Sequence, residues 1–85
     1  MQVLIPTSLR SYTGRSKVEA NGATLGEVLA DLDRQFTGLR FRMVDEQDRL
    51  RPHMRVFVNG KAVRDLAQAL QNGDDVSIVQ ALSGG

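Results

Sequence analysis

Thr24-Leu25-Gly26-Glu27-Val28-Leu29-Ala30-Asp31-Leu32-Asp33-Arg34-Gln35-Phe36 carries the only long helical stripe in the chain. Leu25, Val28, Leu29, Leu32 and Phe36 recur at the spacing of one helix face, while Glu27, Asp31 and Arg34 fall on the other. Thr24 and Glu27 fit a capping box, in which the hydroxyl accepts from a first-turn amide and the carboxylate reaches back to the cap amide. Thr37-Gly38 supplies the stop. Working outward, Gln2-Val3-Leu4-Ile5 reads as a strand ended by Pro6, which cannot donate to a ladder. Ser16-Lys17-Val18-Glu19-Ala20 alternates polar and apolar residues up to Asn21-Gly22 and reads as the returning strand of a hairpin.

Beyond the helix, Arg55-Val56-Phe57-Val58 runs into Asn59-Gly60, a type I′ turn signal, with Lys61-Ala62-Val63 as the return. Leu66, Ala69 and Leu70 allow at most one helical turn before the turn cluster Asn72-Gly73-Asp74-Asp75. Val76-Ser77-Ile78-Val79 then closes the sheet. Residues 39–52 mix charged and isolated apolar residues with no sustained period, so that stretch reads as irregular. The order is that of an α+β domain, the β-grasp order, with one main helix packed across a mixed sheet over residues 1–80. Residues 81–85 are left as a flexible C-terminal tail ending in Gly84-Gly85. Because alternate strand residues share a face, Val3, Ile5, Val56, Val58, Val76 and Ile78 should meet the helix, and Leu4, Phe57 and Val79 should point away.

Composition excludes several function classes. Eighty-five residues hold one small core and no second domain, a poor basis for most enzymes. Eleven Lys and Arg against ten Asp and Glu leave a net charge of +1, which by itself holds neither nucleic acid nor an anionic membrane. Cysteine is absent, which removes disulfides, thiolate metal sites and thiol nucleophiles; no side chain can carry a persulfide. No apolar run approaches the ~20 residues of a membrane span, and Met1-Gln2-Val3 does not begin a signal peptide, so a cytoplasmic protein is expected.

No catalytic motif stands out. The lone His53 reads as a surface or turn residue, and Asp74-Asp75 as turn formers, since adjacent carboxylates in a turn point apart. Arg40, Arg42, Arg49, Arg51 and Arg55 lie among Asp45, Glu46 and Asp48, which reads as a solvated face able to pair with acids on a protein partner. Chemistry instead points to the end of the chain, where the one unusual group is the α-carboxylate of Gly85. A carboxylate is ionised at neutral pH and a poor electrophile, so it needs activation, usually as an acyl-adenylate made from ATP by another protein. Glycines without Cβ allow close approach of backbone to phosphate in a narrow cleft.

Val58-Asn59-Gly60-Lys61, then Asn72-Gly73-Asp74-Asp75-Val76-Ser77-Ile78 and the closing Gly84-Gly85, resemble the ubiquitin-like sulfur carriers of MoaD/ThiS type. Ile5-Pro6-Thr7-Ser8-Leu9-Arg10 with Thr13-Gly14, and the helix from Thr24, are most similar to carriers that serve cysteine synthesis and thiocarboxylate siderophores. The resemblance implies a carrier that is not an enzyme and binds no cofactor. An E1-like adenylating enzyme would use ATP to activate Gly85, and sulfur transfer would leave a thiocarboxylate. A sulfurtransferase or sulfur-accepting synthase would be a further partner, as would a zinc metalloprotease that trims or hydrolyses the C terminus; neither nucleic acid nor membrane is implied. Two rivals stay open: a modifier joined through Gly85 to target lysines, and an interaction domain whose glycines do nothing. In the carrier reading Leu4, Phe57 and Val79 form the partner-docking patch.

Overall fold

The computed structural model describes residues 1–81. The elements follow in the order β1 (Gln2–Leu4), a 3-10 turn (Thr7–Leu9), α1 (Arg10–Thr13), β2 (Lys17–Glu19), α2 (Leu25–Gln35), α3 (Leu39–Met43), β3 (Met54–Val58), β4 (Lys61–Val63) and β5 (Asp75–Gln80). The strands form one sheet in the order β2-β1-β5-β3-β4. β5 is central, parallel to β1 and antiparallel to β3, so the strand leading into the C terminus is hydrogen-bonded on both edges. This is the expected β-grasp, with α2 laid across one face.

The capping box forms with one displacement. Thr24 Oγ1 accepts from the Glu27 amide at 3.2 Å, but Glu27 Oε1 accepts from Ala23 N–H, one residue before the cap. The segment 66–70 docks alongside the cap, where Thr24 forms an isolated bridge with Ala69. There Leu25 N–H donates to Gln68 O and Gly26 N–H to Leu66 O. That segment therefore runs as a turn beside the helix rather than adding a helical turn of its own. Leu25, Val28, Leu29 and Leu32 are fully buried against Val3, Ile5, Val56, Val76 and Ile78, and Phe36 and Val58 pack at the edge of this core.

Residues 39–52 are irregular only in part. Leu39–Met43 form α3, and Val44 bridges to Leu50, with Leu39, Met43, Val44 and Leu50 all buried. One helical turn shows only a single i, i+4 apolar pair, too little to read as a period. Its cap is also remote in sequence: Asp33 Oδ1, on α2, accepts from the amides of Gly38 and Arg40 at 3.1 and 3.2 Å. Gly38 makes the reversal at φ 93°, a left-handed conformation that suits glycine. The Asn59-Gly60 turn is as expected, with φ of 51° and 86°.

Candidate functional site

The site is best built from the end of β5. Val76 and Ile78 point into the core and Ser77 and Val79 point out, so the strand delivers the chain to the surface at Gln80. Ala81 is pinned there, its amide donating to His53 O at 2.7 Å. Gly84 and Gly85, on which the chemistry was placed, lie outside the described residues.

Cross-strand register sets what surrounds this exit. Lys17, Leu4, Ser77, Phe57 and Ala62 form one row across the outer face, and Val79 sits opposite Arg55 in the next row toward the exit. Leu4 is 39% exposed and Val79 42%, as their alternation requires. Phe57 lies on the same face, outside the core, but is half-buried rather than open, since it stands on an inner strand between β4 and β5. Ser77 interrupts the apolar row between Leu4 and Phe57. Leu4 and Val79 also line an open groove of about 660 Å³ with Pro6, Arg10, His53 and Ala81, directly beside the exit. The 3-10 turn after Pro6 builds one wall of it; Ile5-Pro6-Thr7-Ser8 was legible as a strand end but gave no sign of a groove.

The remaining candidates take the plain roles expected of them. His53 is an exposed turn residue whose carbonyl holds the exit strand. Asp74 accepts from the Gln71 amide at 2.8 Å and from Asn59 Nδ2 at 2.9 Å, and these bonds hold its carboxyl below the usual carboxylate value. Asp75 donates its amide to Asn59 Oδ1, so the two acids tie the 71–75 turn to the β3–β4 turn. Of the arginines, Arg40 pairs with Asp48, Arg49 bonds the Gln47 side chain and Arg55 bonds Pro52 O. Among the described residues no cluster of three or more His, Cys, Asp or Glu could hold a metal, and no helix is long and apolar enough to cross a membrane.

A mixed five-stranded sheet with one helix across it, and a central last strand that carries the chain out to Ala81, defines the class of ubiquitin-like β-grasp proteins. The chain belongs to the ThiS family, whose model matches residues 3–85. The sulfur carrier protein CysO of Mycobacterium tuberculosis is 40% identical over 89 residues, covering 98% of this chain and 96% of its own. A chain in the crystal structure of the Amycolatopsis orientalis BexX/CysO complex superposes with a TM-score of 0.91 at 36% identity, covering 99% of this chain and 98% of that one. Small archaeal modifier protein 3 of Haloferax volcanii is 38% identical over 66 residues, covering 74% of this chain and 71% of its own. The expected kinship with MoaD/ThiS-type carriers is borne out, and the sulfur-carrier reading is favoured over the modifier.

Proposed function

We propose that this protein carries sulfur on its own C terminus, as a thiocarboxylate of Gly85. The observation that carries the reading is the exit itself: a central strand, bonded on both edges and pinned at Ala81, brings the chain to the surface there beside an apolar face. Four further residues reach at most about 14 Å when extended. That is enough to enter a partner's cleft while the folded body stays outside as a handle. In the first step a Gly85 carboxylate oxygen attacks the α-phosphorus of ATP in an E1-like enzyme and pyrophosphate leaves. In the second, sulfide attacks the acyl carbon and AMP leaves. The protein supplies the acyl group and the docking surface and performs no catalysis, and an ATP-dependent cycle of this kind belongs in the cytoplasm.

Leu4, Phe57 and Val79 form the docking face for the activating enzyme, with Leu4 and Val79 continuing it into the groove at the exit. Gly84 gives the backbone the narrow profile that the cleft needs. A sulfur-accepting synthase takes the loaded form; the relative crystallised in complex with BexX supports a protein partner. A zinc metalloprotease acting on the C terminus completes the set. The test is to delete Gly84-Gly85. The shortened protein should keep its cooperative melt, because termini that bury little tolerate truncation, and should lose all sulfur loading. Loading of the shortened protein, or loss of its melt, would contradict the separation of tail chemistry from the body.

A further inference from the structure

A second groove adjoins the tail exit on the side away from Leu4 and Val79. Phe41, Arg42, Glu46 and Arg51 line it, and it shares His53 and Gln80 with the first. Leu39 and Met43 fill the core from α3, which leaves Phe41 on the opposite face, 59% exposed. An aromatic held that far out is given a fixed place by Arg51. The guanidinium carbon stands 4.8 Å from the ring centroid, and Nε donates to Phe41 O at 2.9 Å. Stack and bond together orient the fork, and its two Nη groups have no hydrogen-bond partner among the described residues. Arg42 is exposed, with no ion-pair partner among the described residues.

The neighbouring acids offset the charge of this groove only in part. Asp45, which accepts from the amides of Gln47 and Arg49, also lies within reach of the Arg51 charge, while Asp48 pairs with Arg40. Glu46 alone lines the groove. The sheet repeats the polarity on its outer face: Glu19, Gln2 and Asp75 share the row farthest from the exit, while Arg55 stands beside Val79 next to it. A chain of net charge +1 therefore turns its basic end toward the exit at Ala81. Acids interspersed along 45–48 and the small net charge disfavour a nucleic-acid backbone as the occupant.

We infer that the Phe41, Arg42 and Arg51 groove is a second docking site, which takes a carboxylate-bearing protein surface at the mouth of the cleft that receives the tail. The inference rests on the proposed activation of Gly85. Phe41 supplies apolar contact, the two arginines pair with the partner's acids, and Glu46 limits the attraction.

The test is carrier-dependent ATP–pyrophosphate exchange by the E1-like enzyme of the same organism, measured against full-length carrier concentration at low and high salt. Arg42→Glu should raise the half-saturating concentration by about tenfold or more, with the rate at saturation unchanged and the difference shrinking as salt screens it. Phe41→Ala should raise it at both salt levels. Glu46→Lys should lower it. Lys61→Glu makes the same change in net charge at the end of the sheet away from the exit, and should shift it by less than about twofold. Equal effects of Arg42→Glu and Lys61→Glu, or weaker docking by Glu46→Lys, would overturn the inference while leaving activation of Gly85 intact. No exchange with the unmutated carrier would instead remove the activation reading, and this inference with it.

Discussion

Phe57→Ala separates docking from folding, because the ring sits on the sheet face opposite α2. Its row neighbours are Ser77 and Ala62, both small, and it is absent from the core that α2 covers. Truncation therefore leaves no sealed cavity, and the loss is that of cross-strand contacts and partial burial, about 1 kcal/mol. A core Phe would cost ~3–5 kcal/mol. For a domain of this size 1 kcal/mol lowers Tm by about 4–8 °C. Ile78→Ala is the internal control, one position from Val79 but 1% exposed; it should cost about 2–5 kcal/mol and melt far lower. Binding should respond in the opposite order of concern. An aromatic anchor of a docking face is worth ~2 kcal/mol, which weakens the complex with the activating enzyme about 30-fold. Calorimetric titration of parent and Phe57→Ala against that enzyme, with melts in parallel, reads both quantities. Unchanged affinity would show that the partner docks elsewhere. A melt as low as that of Ile78→Ala would show that the ring belongs to the core.

Three further outcomes are expected. Gly84→Val should fold normally but fail to be adenylated, since a β-branched side chain widens and stiffens the chain where a cleft must close around it; equal adenylation rates would remove the steric role of Gly84. Gly22→Ala should lower the melt, because a Cβ there would stand 2.6 Å from Val28 N and 2.8 Å from the Glu27 carbonyl carbon, both backbone atoms of α2. Such overpacking typically costs ~1–3 kcal/mol, and an unchanged melt would mean that the 20–23 loop moves freely. Acid should destabilise the fold. Asp31 is held below its ordinary value of 3.8 by the Asn21 amide and then Arg34, Asp45 by the Arg49 and Gln47 amides, and Asp74 by the Gln71 amide and then Asn59. Unfolded chains take up these protons first, so the stabilisation is complete above the ordinary value and is lost as pH falls through the lower folded-state values. Melts from about pH 6 down to about pH 3 should fall, with a shallower fall in Asp31→Asn; parallel profiles would show that Asp31 contributes nothing.

The parts of the fold that were legible in the sequence are those whose signals are local. The stripe from Leu25 to Phe36, the Thr24 cap and the Asn59-Gly60 turn each sit within a few residues of the structure they specify, and the period of two along β1, β3 and β5 sorted inner from outer residues correctly. α3 stayed hidden because its cap, Asp33, belongs to the preceding helix and its apolar residues span a single turn. The same distance hid the second groove: Phe41 and Arg51 are ten positions apart and meet only because the Val44–Leu50 bridge folds the chain back. The Gly84-Gly85 end was singled out on chemistry alone and lies outside the described residues. The apolar groove beside Ala81 was not legible, since Pro6, Arg10, His53 and Ala81 come from three separate parts of the chain.

The claim that Gly85 carries sulfur is tested most directly by the intact mass of the protein recovered from its native cell. The account predicts a species heavier by one sulfur in place of one oxygen, with the change confined to the C-terminal glycine on fragmentation and lost when Gly84-Gly85 is deleted. A ladder of conjugates joined through Gly85 to lysines would make the protein a modifier instead, and an unaltered carboxylate in every molecule, in cells making the products of sulfur transfer, would contradict the account.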